Sequence, residues 1–254
     1  MGTVALPRMF RYLLLTLLGA LAGATLASSG AGAGERVLTV VELFTSQGCS
    51  SCPPADDHLG DLADREEILA LSFHVDYWDY IGWKDPFANP AHTERQRQYQ
   101  TFFNSRYVYT PQMVVQGAYQ AVGSKRGEIA EQIKKSRSRP RLDVTLARAA
   151  DEIAIRVGPS GNSGVKADDA AVWFVAFDDR HQTAVARGEN KGRQIVNRHI
   201  VRRFDLVGTW NGSAFDARIA VPAPGQPGGY GAAVLVQSLT TGHILGAARL
   251  ASGG

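Results

Sequence analysis

Of the 254 residues, 44% are apolar and 20% charged, so the chain is long and apolar enough to bury a core of its own. Its formal net charge of +3 gives no electrostatic reason to expect nucleic acid or an anionic membrane surface as a partner. The two cysteines, Cys49 and Cys52, allow a single bridge. A domain of this size does not need one as a staple, which points to chemistry rather than support.

The chain opens with a secretory pattern. Arg8 and Arg11 form a positive n-region, Tyr12 to Leu26 an apolar stretch, and small-residue cleavage sites follow at Ala20-Leu21-Ala22, Thr25-Leu26-Ala27 and Ala31-Gly32-Ala33. A membrane anchor is the other reading, but about 15 apolar residues fall short of the roughly 20 that a helical span needs. We therefore expect a signal peptide over residues 1–33 and a periplasmic or secreted mature protein without a membrane anchor. Loss of the two arginines takes the formal charge from +3 to +1.

Val37 to Phe44 is a nearly continuous apolar run with β-branched residues, which predicts a strand covered on both faces. Cys49-Ser50-Ser51-Cys52 follows it, and Pro53-Pro54 then fix a helix start, since proline is tolerated only in the first turn. A helix over Pro53 to Ala63 and a strand over Ile68 to Val75 complete a βαβ unit with parallel strands. At a helix entry, free backbone N–H groups and the macrodipole favour a thiolate, so Cys49 is the expected nucleophile, exposed enough to exchange. Cys52, a turn further in, is the expected resolving cysteine. A structural bridge is the plainer alternative.

Asp76 to Pro90 is a loop carrying Tyr77, Trp78, Tyr80 and Trp83, read as packing over a core edge or as a substrate platform in which Trp78 takes part. A helix is expected over Thr93 to Asn104, a strand over Val108 to Gln116 with Pro111 near its start, and a helix over Ser124 to Ser136. His74 and Asp76 end the second strand at its carboxyl edge, where open α/β sheets place their sites. After Arg139 helical periodicity gives way to short β-type runs between turn signals, which predicts a β-sandwich over 139–254. The basic run from Lys134 to Arg141 reads as a solvated helix end and linker. Glu189, Asn190, Arg193, His199 and Arg202 are a weaker polar cluster, suited to a site or to a contact between domains.

The order of the Cys-x-x-Cys, the βαβ unit and Thr110-Pro111 resembles the thioredoxin-like fold, placed here over 36–138. That resemblance implies a cis Pro111 facing Cys49, with Thr110 and Pro111 offering backbone to an extended substrate. It also implies a buried acid beneath the resolving cysteine. Glu42 is the candidate, although its spacing departs by one residue and can turn it to the other face of the strand. More narrowly, Val41 to Asp56, His74-Val75-Asp76-Tyr77-Trp78, Tyr109-Thr110-Pro111-Gln112 and Gly188 to Arg193 resemble a family of exported bacterial proteins known only as a domain of unknown function, number 1223.

These residues point first to a thiol-disulfide oxidoreductase needing no cofactor beyond a redox-active Cys49–Cys52 disulfide. In it Cys49 attacks, Cys52 resolves, Pro111 presents backbone, and Glu42 or His74 moves protons. Its partners would be a protein or small-thiol substrate and a separate redox partner. Two alternatives use the same residues differently. One is a soft-metal carrier in which the thiolates and His74 hold Cu(I), and the other is a binding or adaptor protein with an inert disulfide.

Overall fold

The computed structural model describes residues 1–2, 37–166, 169–220 and 230–250. Apart from its first two residues, the expected signal peptide lies outside them. Strands β1 (Thr39–Thr45) and β2 (Ile68–His74) are buried along their whole length, in keeping with their nearly continuous apolar character. They pair in parallel around the crossover helix α1 (Pro53–Ala63). Alternation splits β1 between two cores. Val41 and Leu43 pack with Ala55, Leu59 and Leu62 of α1, while Val40 and Phe44 face Phe73 and Tyr99 on the other side.

Helix α2 (Pro90–Phe102), capped by the Asn89 side chain accepting from the Ala91 N–H, supplies Tyr99 to that second core. Strands β3 (Gln112–Val115) and β4 (Tyr119–Val122) follow as an antiparallel pair, with β3 antiparallel to β1. Helix α3 (Arg126–Arg137) buries Ile129 and Ile133, four apart on one face.

The remaining strands overturn the expected architecture of an α/β thioredoxin-like domain followed by a separate β-sandwich. The protein is mostly β. Strands β7 (Ala170–Ala184), β8 (Gln194–Trp210), β10 (Tyr230–Ser238) and β11 (Ile244–Leu250) extend the first sheet, giving one mixed eight-stranded sheet in the order β11-β10-β7-β8-β2-β1-β3-β4. The join is β2 to β8, parallel at Ser72 and Ile200. Strand β2 has buried side chains on both faces, so its free backbone edge also had to be paired, and β8 pairs with it.

Strands β5 (Val144–Ala149), β6 (Glu152–Val157) and β9 (Phe215–Ala220) form a separate three-stranded sheet. Its Ile153, Ile155 and Val157 pack against Val172, Phe174, Trp210 and Val234 of the large sheet. Two of the short β-type runs expected after Arg139, Ala171 to Phe177 and Thr183 to Ala186, fall on one strand, β7, which ends at Ala184 and whose bulge at Ala176/Phe177 breaks the alternation. Among the described residues, no helix is long and apolar enough to cross a membrane.

Candidate functional site

The Cys-x-x-Cys turn lies at the carboxyl end of β1. Its backbone is fixed by Cys49 N–H donating to Ser46 O and Cys52 N–H to Cys49 O, at 3.1 and 3.2 Å. Cys52 caps α1, and Pro53 and Pro54 fill the first two helical positions. The two cysteines are joined as a disulfide with Cα atoms 5.4 Å apart. Pro53 and Pro54 have no N–H to offer, and the next two N–H groups, of Ala55 and Asp56, donate to Cys52 O. The helix start therefore lends a thiolate less than the spacing suggested. A nearer donor is the Ser51 hydroxyl, 3.3 Å from Cys49 Sγ.

Neither sulfur is at the surface. Cys49 is 1% exposed and Cys52 0%, which corrects the expectation of an exposed attacking sulfur. The loop joining β7 to β8 makes polar contacts with this turn. Asn190, itself buried, donates through Nδ2 to Gln47 O and Cys49 O, both at 2.9 Å. Glu189 accepts from the Ser50 N–H at 3.1 Å. Gln47 ties the turn down from below: its Nε2 donates to Thr183 Oγ1 and Asn197 Oδ1, its Oε1 accepts from Trp83 Nε1, and its N–H donates to Asp85.

Beside the turn lies a buried polar group. Thr45 and His74 are register partners on β1 and β2, and side chains of parallel partners leave the sheet on the same side. Thr45 Oγ1 donates to Asp56 Oδ1 at 2.9 Å, and His74 Nδ1 donates to Asp85 Oδ2 at 2.7 Å. Asp56 follows Cys52 by four residues, one helical turn on the same face. Its Oδ2 and the His74 Nε2 are buried without a hydrogen-bond partner. Burial lifts the Asp56 carboxyl from 3.8 to about 7, against the opposing pull of the His74 charge and the Thr45 hydrogen bond. Burial alone would depress His74, but the Asp85 charge and hydrogen bond outweigh it and hold the imidazole above its ordinary value. Asp85 is held low: burial pushes it up, and His74 with the Gln47 and Phe87 N–H groups pulls it further down.

The structure brings most of the predicted residues together. The Thr110–Pro111 bond is cis, Trp78 Nε1 donates to Thr110 Oγ1 at 2.7 Å, and a Cβ placed on Gly48 would meet Trp78 Cβ at 3.2 Å. Trp78 thus links the residue before Cys49 to the residue before Pro111. His74 sits in the polar group beside the turn. Glu42 does not join them. It lies on the α2 face of β1, where Arg95 pairs with it at 2.6 Å and Tyr99 hydrogen-bonds its other oxygen.

Asp56 is missed from the sequence, although its signal is present: an acid four residues after Cys52 and three before Leu59, on the side of α1 that carries the apolar positions. Asn190 is singled out, but the partners of that residue are not legible from a position some 140 residues away. Among the described residues, no three His, Cys, Asp or Glu side chains are grouped to hold a metal ion.

A family model described as a protein of unknown function, DUF1223, matches residues 40–237. The chain belongs to this family. Within solved structures, the X-ray structure of protein AGR_C_4864 from Agrobacterium tumefaciens is similar at 32% identity and a TM-score of 0.74, over 87% of this chain and 97% of that one. HBP35 of Porphyromonas gingivalis is similar at 11% identity and a TM-score of 0.59, over 85% of this chain and 75% of that one, a likeness of fold alone. No curated protein matches. The DUF1223 match spans the cysteine turn, the His74–Asp85 pair, Thr110-Pro111 and the β7–β8 loop, so every part of the site lies within the family's shared region.

Proposed function

We propose that this DUF1223 protein is an exported thiol-disulfide oxidoreductase working through Cys49 and Cys52. The observation that carries this reading is Asp56, an ionisable acid buried one turn from Cys52 with an oxygen left unpartnered. A purely structural bridge has no use for such a group, which costs stability to bury. A dithiol that loses and regains protons does. In the reductive direction, a substrate thiolate attacks Cys49 Sγ, the Cys49–Cys52 bond breaks, and Cys52 leaves as a thiolate that takes the Asp56 proton. A second substrate thiol then displaces Cys49, giving a substrate disulfide and the reduced pair. In the oxidative direction, Asp56 as carboxylate takes the Cys52 proton while Cys52 attacks the mixed disulfide. His74, charged and held by Asp85, steadies that carboxylate.

The test is turnover of insulin or scrambled ribonuclease by the wild type and by Cys49→Ser. The expected result is loss of activity in the variant with its unfolding midpoint close to that of the Cys52→Ser control. Equal activity in Cys49→Ser refutes the reading. The burial of both sulfurs favours a second one, a binding or adaptor protein whose bridge is inert, and the two differ in reduction potential.

A further inference from the structure

We propose that Asn190 is a specificity-determining gate, occupying the place of a substrate backbone amide so that the Cys49–Cys52 bond serves cysteines within extended polypeptides and is closed to small thiols. The inference rests on the oxidoreductase reading and adds the substrate class to it. Both carbonyls that bracket Gly48, the residue before Cys49, are taken: Asn190 Nδ2 donates to Gln47 O and to Cys49 O at 2.9 Å each. These are backbone acceptors one residue either side of Gly48, and the two hydrogens of the Asn190 amide serve them as two peptide N–H groups would.

The loop is built to sit there. Gly188 at φ +72 lies against Trp83, whose Cβ would be 3.1 Å from an added Cβ. Lys191 N–H closes the turn onto Gly188 O, and Glu189 holds the Ser50 N–H. Asn190 is fully buried, yet its neighbours Glu189 and Lys191 are exposed, so the loop has few apolar contacts to keep it down once the amide is displaced.

The chemistry then separates two classes of thiol. A small thiol brings no backbone donors, and reaches Cys49 Sγ only in the fraction of molecules whose loop is already lifted. A polypeptide cysteine in extended conformation brings N–H groups that replace the Asn190 amide on the same carbonyls. Lifting the loop and binding then become one exchange of hydrogen bonds. The reaction is the balanced one given above. The peptide thiolate forms a bond to Cys49 Sγ, the bond to Cys52 breaks, and the Cys52 thiolate is protonated.

The experiment compares reduction of the oxidised full-length protein by β-mercaptoethanol and by a short extended peptide with one central cysteine, for the wild type, Asn190→Asp and Glu189→Ala. Asn190→Asp removes both donors at constant shape and sets a carboxylate oxygen against the two carbonyls, so the loss of two hydrogen bonds is the lower bound on how far it releases the loop. Its expected rate with β-mercaptoethanol is at least about tenfold above wild type, with a much smaller rise for the peptide, the scale set by losing two neutral hydrogen bonds. Unchanged rates with both thiols overturn the gate, and equal acceleration of both overturns the claim that Asn190 stands in for substrate.

If Asn190→Asp does not fold, Glu189→Ala, an exposed change, carries the test. A rise confined to the small thiol supports the gate, and none refutes it. Gated rates in a protein that fails to turn over insulin would sink the oxidoreductase reading alone. Turnover with ungated rates would sink this inference alone.

Discussion

Replacing Asp56 by asparagine puts the proton argument to its hardest test, because it separates the charge of the buried acid from its shape. The substituted side chain keeps the Oδ1 acceptor for Thr45 and places an amide where Oδ2 has no partner. The wild-type carboxyl titrates near 7 when folded and near 3.8 when unfolded. Between those values the folded state binds more protons than the unfolded state, so stability is fully present below about pH 4 and is lost as pH rises to about 7. At about 1.4 kcal/mol per pKa unit the whole loss has a ceiling of roughly 4 kcal/mol.

An asparagine at this position cannot lose its neutral form. Asp56→Asn is therefore expected to match the wild type within about 1 kcal/mol near pH 4 and to exceed it by roughly 2 to 4 kcal/mol at pH 8. Urea unfolding of the oxidised proteins at a series of pH values measures the difference. The same variant should exchange disulfides roughly a hundredfold more slowly, the usual scale for a lost general base. An Asp56→Asn protein that is less stable than wild type by the same amount at every pH refutes the reasoning.

The other residues give sharper contrasts. Glu42→Gln leaves the buried Arg95 cation without its counter-charge and should cost about 3 to 5 kcal/mol. It should leave the pH profile of disulfide exchange unmoved, because Glu42 faces the core away from α1; stopped-flow exchange rates between pH 5 and 9 check this. Asp85→Asn removes the charge that holds His74 above its ordinary value. The His74 contribution is present below pH 6.5 and disappears as pH rises through the raised folded value. The variant should thus be about 2 to 4 kcal/mol less stable at pH 6, and the deficit should narrow in alkaline solution. Urea melts at the two pH values decide it.

What the sequence disclosed was local. The nearly continuous apolar runs at Val37–Phe44 and Ile68–Val75, the prolines opening α1 and the four-residue spacing of Ile129 and Ile133 each specify an element through nearest-neighbour physics, and each element lies within two residues of where the pattern puts it. Alternation also found most of the later strands. It could not say which strands would pair, because the side chains of β8 encode a buried face and not a neighbour. The same alternation serves a separate sandwich or an extension of the first sheet past β2. Glu42 fell to the period of two: one residue of spacing moved it to the far side of the strand. His74 was found from its place at a strand end, but its partner Asp85 is set by the fold of the aromatic loop, and the Asn190 contacts by a hairpin far along the chain. Contacts of that length are products of the whole sheet.

An oxidoreductase of this kind needs a Cys49–Cys52 bond that opens and closes in service. Equilibration of the protein against dithiothreitol redox mixtures, read by alkylation of freed thiols, measures this directly. A midpoint above about −300 mV is expected of a working disulfide. A midpoint well below that figure would mark a structural bridge and contradict the account.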